Sequence, residues 1–187
     1  MLGLSAAADI DANLRAVARP YLLELQEHTK GAIHIRVIRD HANVIIDAIE
    51  SPLPLRLVRP IGEASPMHFG ASGKVLLAFG TPQLQEAALS APVLKRFTGR
   101  SIGERDDYLR ELQRIRRQGF AFTDEEAIDG VRSVAAPVLG KDGYAIAALT
   151  SALPSASLPT RSVAKHGRWV ARYAGLIAQA LVKPGKP

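Results

Sequence analysis

The sequence contains no cysteine, few aromatic residues and no long apolar run. Without cysteine, disulfide bonds and thiolate metal sites are excluded, and a reducing cytoplasm is the expected location. Aromatic residues make up 5% of the chain, which argues against a base-stacking surface for single-stranded nucleic acid. No run approaches the ~20 apolar residues of a membrane-spanning helix, and the first residues lack a signal pattern. We therefore expect a cytoplasmic protein with no membrane contact.

Positive charge is present but is spread along the chain. The formal net charge is +6 over 187 residues. The basic residues of two segments recur at helical spacing, which favours solvated helix faces over a DNA-binding surface. These groups are Arg110, Arg114 and Arg117, and Arg161, Lys165, Arg168 and Arg172. With 47% hydrophobic residues, the chain is expected to form one domain with a substantial core.

Apolar residues at intervals of three and four predict several helices. The first eight residues are expected to have no fold of their own, and Asp9 is expected to cap the first helix, with a kink or break near Arg19 caused by Pro20. The predicted helices cover residues 9–30, 71–79, 82–89, 104–118 and, after Pro159 and Thr160, the segment to about Leu181, with a possible short helix at 92–97.

Alternating apolar and polar residues predict strands before and after the central helices. The predicted strands cover residues 33–37, 43–50, 55–58, 120–123, 131–139 and 144–152. The segment 55–58 follows Pro52 and Pro54, so it is expected to be short and close to an edge. Two hairpins, a central helical block and helices at both ends indicate an α+β domain with a mainly antiparallel sheet.

A polar loop with glycines runs directly into an apolar helix at residues 65–79. The first backbone N–H groups of such a helix lack intrahelical partners, and its positive dipole end favours an anion. A nucleotide P-loop is rejected, because His68 and Val75 occupy two of its diagnostic positions. The alternative that Gly70 and Gly73 merely permit a tight junction remains open.

The later strands present small and hydroxyl side chains on one face each, which leaves vacant volume beside groups able to form hydrogen bonds. If these faces adjoin, they form a concave patch suited to a ligand; the alternative is that helices pack closely on them. The residues are Thr123 with Ala121, Ser133 with Ala135 and Pro137, and Thr150 with Ala148 and Ala152.

Evidence for catalysis or metal binding is weak. The acidic run 124–126 is expected to be a solvated or capping turn, and His68 either contacts a ligand or bonds to the backbone. The other histidines show no metal-ligand spacing. The nucleophile elbow Gly-x-Ser-x-Gly is absent. We therefore expect that the chain binds no metal and no cofactor and that it is not an enzyme.

Three stretches together resemble one family. The stretch His68–Ala78, HFGASGKVLLA, resembles the His-x-x-x-x-Gly-Lys-x-Leu-Leu-Ala signature of the effector-binding domain of IclR-type transcriptional regulators. Residues 118–126 with 130–138, QGFAFTDEE and GVRSVAAPV, resemble its other hallmark, and Ala18–Leu22, ARPYL, also matches. The resemblance runs from about Leu4 to Ala180.

This resemblance implies a GAF- or PAS-like fold, in which helices flank a curved, mainly antiparallel sheet and the effector lies on one side of that sheet. The chain, residues 1–187, is then expected to be a single effector-binding domain without the winged helix-turn-helix of such regulators. The family also implies a homodimer or homotetramer that senses a small organic or aromatic acid, and DNA contact only through the missing N-terminal domain.

The resemblance assigns the effector carboxylate to backbone N–H groups of Ala71 and Ser72, beside His68, Phe69 and Gly70. Relatives with a small keto-acid effector place Asp, Cys and two Ser on the strands. The corresponding residues here are Thr123, Ser133, Thr150 and Ala152. These less polar positions favour a larger or less polar acid, with Leu55, Leu57, Met67 and Phe69 as apolar walls.

We therefore predict an effector-binding domain of a bacterial transcriptional regulator. One alternative is a small enzyme using His68 and the acidic loop as general acid and base. A second is a nucleotide-binding GAF-like module.

Overall fold

A computed structural model describes residues 4–182 of the chain, with side chains described from residue 9 onward. The helices are α1 (Leu4–Thr29), α2 (Gly70–Ala78), α3 (Pro82–Ala88), α4 (Arg105–Gln118) and α5 (Val163–Val182), the last preceded by short 3-10 turns at Ser155–Ser157 and Thr160–Ser162. The strands are β1 (Ala32–Arg39), β2 (Ala42–Ile49), β3 (Ala64–Pro66), β4 (Ala121–Asp124), β5 (Val131–Leu139) and β6 (Ala145–Pro154).

All six strands belong to one curved sheet in the order β3-β2-β1-β6-β5-β4, and every neighbouring pair is antiparallel. The hairpins β1–β2 and β5–β6 are joined through β1 and β6, where Ala32 lies opposite Ala152 and His34 opposite Thr150. The predicted α+β class with a curved antiparallel sheet flanked by helices is confirmed.

Each face of the sheet carries its own apolar core. Helices α1 and α5 cover one face, where alternate strand residues such as Ile35 and Leu149 are fully buried. Helices α2 and α4 cover the other face, which we call the α2 face, and Leu76 and Ile115 are buried there. Strand β1 therefore has no solvated side, and His34 and Arg36 are each only 4% exposed.

Two predicted elements are wrong. Residues 55–58 form no strand, and the edge strand next to β2 is β3, in a segment expected to be a loop. Pro52, Pro54 and Pro60 remove three donors around residues 55–58, which prevents regular pairing. Residues 92–97 form no helix; instead Val93 makes an isolated bridge with Glu104.

Helix α1 also differs from its prediction. It begins at Leu4, so Asp9 lies inside it and does not cap it, and residues 4–8 are helical. Pro20 lies within the helix without breaking it, because buried Ala18, Leu22 and Leu25 hold the helix against the core on both sides of the proline. Met1, Leu2 and Gly3 lie outside the described residues. None of the described helices combines the length and the apolar character needed to cross a bilayer.

Candidate functional site

A small cavity of about 40 Å³ lies between the start of α2 and the α2 face of the sheet. It is lined by strand residues, by the helix start and by two loops. The lining residues are His34, Arg36, Leu57, Arg59, Phe69, Gly70, Ala71, Ser72, Ala127, Ile128, Val131, Ser133, Thr150 and Ala152.

The start of α2 supplies free backbone donors. Phe69 precedes the helix without a side-chain cap, and its carbonyl accepts the first intrahelical bond, from the Gly73 N–H at 3.3 Å. The N–H groups of Gly70, Ala71 and Ser72 therefore lack helical partners and lie at the positive end of the dipole.

Two glycines permit this junction. Gly70 has a φ of +67°, which side chains rarely adopt. A Cβ on Gly73 would lie 2.1 Å from the Met67 carbonyl oxygen, so only glycine lets the loop approach the helix this closely.

Thr150 places an unused hydroxyl in the cavity. Its side chain is buried, and its Oγ1 is the one buried side-chain N or O atom of the described residues without a hydrogen-bond partner. Ser133 and Ala152 lie opposite each other on β5 and β6 and line the same cavity. A buried hydroxyl without a partner costs about 1–3 kcal/mol, so a ligand acceptor or donor there relieves that cost.

Two arginines line the same cavity. Burial first, and then the nearby charge of Arg59, lower the pKa of Arg36 to about 9. Burial lowers the pKa of Arg59 as well, although its Nε donates to Glu63 at 2.8 Å. Arg36 forms no ion pair with any described residue. Its charge is therefore desolvated without a counter-ion.

Asn43 links Arg36 to the helix start. The Nη1 group of Arg36 donates to Asn43 Oδ1 at 3.0 Å, and Asn43 Nδ2 donates to Ser72 Oγ at 3.1 Å. Asn43 is fully buried, so this network fixes the guanidinium relative to the first turn of α2.

His34 adds a neutral ring. Burial, followed by the charges of Arg36 and Arg59, lowers its pKa to about 3. At neutral pH the ring is uncharged and offers one donor and one acceptor nitrogen.

Eight of the twelve predicted site residues line this cavity. They are Leu57, Phe69, Gly70, Ala71, Ser72, Ser133, Thr150 and Ala152.

The other four predicted residues lie elsewhere. Thr123 is 1% exposed, and its hydroxyl donates to the backbone carbonyl of Ser133 at 3.5 Å. Met67 is buried in the core between α2 and α4, and Leu55 is 74% exposed. A nitrogen of His68 lies 3.2 Å from the Lys95 carbonyl, and its ring contacts Phe97. Of the two roles considered for His68, ligand contact and bonding to the backbone, this arrangement is the second.

Lys74 and the acidic loop support the cavity from behind. The Nζ of Lys74 donates to Glu126 at 2.6 Å, and the lysine is 2% exposed. This pair holds α2 against the loop that carries Ala127 and Ile128 into the cavity. The loop is therefore not a free solvated turn.

Sequence reasoning missed the cationic part of the site. The alternation of His34 and Arg36 with isoleucines was visible, but it indicated a solvated strand side. Arg59 follows a proline-rich segment, and no pattern in the sequence indicated that it belongs to the site. No group of three or more His, Asp or Glu residues in the described part of the chain is arranged to hold a metal.

Comparison with known proteins identifies the family. The model described as "Bacterial transcriptional regulator IclR C-terminal" matches residues 7–177. The chain is 34% identical over 154 residues to the HTH-type transcriptional regulator KdgR of Dickeya chrysanthemi, covering 82% of this chain and 50% of that protein. It spans about half the length of the curated relatives it matches.

Solved structures show the same fold. The C-terminal domain of Escherichia coli KdgR is 27% identical, with a TM-score of 0.79, covering 91% of this chain and 99% of that one. An IclR homologue of Microbacterium hydrocarbonoxydans, crystallised with 4-hydroxybenzoate, is 21% identical with a TM-score of 0.81, covering 91% of this chain and 69% of that one. The chain therefore belongs to the IclR family of bacterial transcriptional regulators and contains the C-terminal domain of that family.

Proposed function

We propose that this chain is a single effector-binding domain, which binds a small organic acid in the cavity at the start of α2. It acts as a sensor and not as a catalyst. The similar proteins are named as transcriptional regulators, which supports this role.

The unpartnered Thr150 hydroxyl is the observation that carries the proposal. A cavity that stays empty inside a protein is normally lined by apolar groups. This one combines a buried hydroxyl without a partner, free N–H groups of α2 and the uncompensated charge of Arg36. Each of these groups is suited to an oxygen atom of an anionic ligand.

The size of the cavity restricts the acid. The cavity volume of about 40 Å³ is small, so a short acid fits it better than the larger acid that the strand residues favour. A ring requires Leu57 and Phe69 to move, and these two are the only predicted apolar wall residues that line the described cavity.

We further propose that the effector changes the equilibrium between arrangements of a homodimer or homotetramer. A ligand shifts such an equilibrium only through different affinities for the two states. DNA contact would then belong to a part of the full-length regulator outside this domain, in keeping with the relatives, of which the chain matches about half the length.

Calorimetry with matched pairs of acids and amides tests the binding. We expect saturable binding of at least one acid among glyoxylate, pyruvate and 4-hydroxybenzoate, and none of its amide at the same concentration. 4-Hydroxybenzoate is included because a homologue of this fold was crystallised with it. The proposal fails if every one of these acids, and every dicarboxylate tested in the next subsection, behaves like its amide.

The same samples test the two alternatives. Proton NMR of each mixture over hours detects turnover, and product formation that is lost in His68→Ala would establish the enzyme. A thermal shift with cyclic nucleotides, and none with acids, would establish the nucleotide-binding module.

A further inference from the structure

The charge balance of the cavity identifies the class of acid more narrowly, provided that the proposed function holds. Two arginines line the cavity, and no Asp or Glu is among the lining residues described. Arg59 is neutralised from outside by Glu63. The net charge offered to a ligand is therefore that of Arg36, added to the dipole of α2.

Arg36 keeps part of its guanidinium available. Both hydrogen bonds found for it among the described residues use Nη1, which donates to the carbonyl and to the side-chain oxygen of Asn43. Nε and Nη2 make no hydrogen bond to the described protein. Planar N–H groups of this kind are suited to a carboxylate.

Arg36 and the helix start are separate positive centres. The guanidinium belongs to β1, whereas the free N–H groups belong to Gly70, Ala71 and Ser72 on α2. The side chain of Asn43 stands between them, in contact with Arg36 on one side and Ser72 on the other. An acid with one carboxylate at the helix start leaves Arg36 without an anion.

We propose that the effector is a short-chain dianion, such as a dicarboxylate, with one anionic group at the start of α2 and the second at Arg36. The small cavity volume limits the chain between the two groups to a few carbons. Arg36 is then the residue that determines specificity for the second charge, and Asn43 positions it.

Malonate and malonamate test this proposal, because they share one shape and differ by one charge; succinate and succinamate repeat the test at greater length. Calorimetry at pH 8 and constant ionic strength gives each dissociation constant. We expect the wild-type protein to bind the better-fitting dicarboxylate at least about tenfold more tightly than its monoamide, as expected for a charge-assisted bond.

The variant Arg36→Met removes the charge and keeps the length of the side chain. We expect this variant to bind the dicarboxylate at most about twofold more tightly than the monoamide, because it loses affinity for the dicarboxylate and keeps its affinity for the monoamide. Arg39→Met is the matched control, because Arg39 lies on the same strand outside the cavity and pairs with Asp11. It should keep the full preference.

The outcomes separate the two proposals. If the wild-type protein binds monocarboxylates and dicarboxylates equally, the dianion is wrong and the acid sensor stands. If it binds none of the acids tested here or above, the sensor itself is wrong. If Arg36→Met does not fold, the comparison of dicarboxylate and monoamide binding by the wild-type protein still tests the dianion. Arg36→Lys then keeps the positive charge but removes the planar guanidinium.

Discussion

Thr150 and Ser151 are neighbours on β6 whose hydroxyl groups have opposite surroundings. Thr150 Oγ1 has no partner, whereas Ser151 Oγ lies 2.9 Å from His166 Nε2 and also contacts Thr29. Thr150→Val should raise the free energy of unfolding by about 1 kcal/mol, since it removes an unsatisfied polar group at equal volume. It should also weaken acid binding. Urea unfolding and calorimetry measure the two effects.

Ser151→Ala is the control for that substitution. It leaves the His166 nitrogen without a partner, so it should lower the free energy of unfolding by about 1–2 kcal/mol. Its effect on acid affinity should be small, because Ser151 lies on the other face of the strand. A stability loss in both variants would mean that Thr150 is satisfied in solution.

Two buried histidines make stability depend on pH. Burial lowers the pKa of His166 from 6.5 to about 4, and burial with two arginine charges lowers that of His34 to about 3. The unfolded chain takes up these protons below pH 6.5 and the folded chain does not, so stability is complete above 6.5 and falls as the pH drops. Each histidine should cost roughly 1 kcal/mol by pH 5.5.

Urea unfolding at pH 7.5 and 5.5 measures this dependence. His166→Gln removes one of the two proton sites, so about half of the loss should disappear in that variant. An equal loss in the variant and the wild-type protein would show that His166 takes up its proton in the folded state too.

Arg36 shows what residue patterns cannot predict. Its alternation with apolar neighbours correctly gave a strand, and it is the packing of α2 over the second face that buries it. That packing is supported by the ion pairs of Lys74 with Glu111 and Glu126, two residues that lie far from Arg36 in the sequence. The local periodicity of a sequence cannot predict contacts between residues so far apart.

At the scale of elements, the junction between the 67–69 loop and α2 depends on Gly73. A methyl group there would meet the Met67 carbonyl oxygen at 2.1 Å, and this backbone atom cannot rotate away. Gly73→Ala should therefore lower the free energy of unfolding by about 1–3 kcal/mol. Acid binding should also be lost, because Phe69 and Gly70 move with the loop. Urea unfolding and calorimetry test both outcomes.

Gly175→Ala is the matched control. Gly175 lies inside α5 with nothing within 4 Å of its ideal Cβ, so alanine should raise stability by about 0.5–1 kcal/mol. If both variants gained stability, the close approach at Gly73 would be absent in solution.

Long periodic elements were predictable, and short ones were not. The apolar spacing of α4 and its end at Gly119, where φ is +83°, gave that helix correctly. Strand β3 has only three residues and pairs with the start of β2, so its own sequence carries no period. Leu55–Val58 has an apolar pattern, but the surrounding prolines leave too few donors for a sheet.

At the scale of the whole molecule, the pairing of β1 with β6 unites the fold. Hairpins follow from local turns, but Ile35 lies opposite Leu149, far along the chain. No local signal fixes that register; only the family resemblance implied one curved sheet. Because the two cores share these strands, neither face can lose its packing without disturbing the other.

Unfolding should therefore occur as one cooperative transition. Leu76 is fully buried on the α2 face, whereas Trp169, the only tryptophan, stacks on His28 at 4.4 Å beside the opposite core. Leu76→Ala should lower the free energy of unfolding by about 2–5 kcal/mol. Tryptophan fluorescence and far-ultraviolet circular dichroism should report the same shifted midpoint. A fluorescence midpoint that stays at its wild-type value would show that the two faces unfold independently, and that the chain is not one cooperative domain.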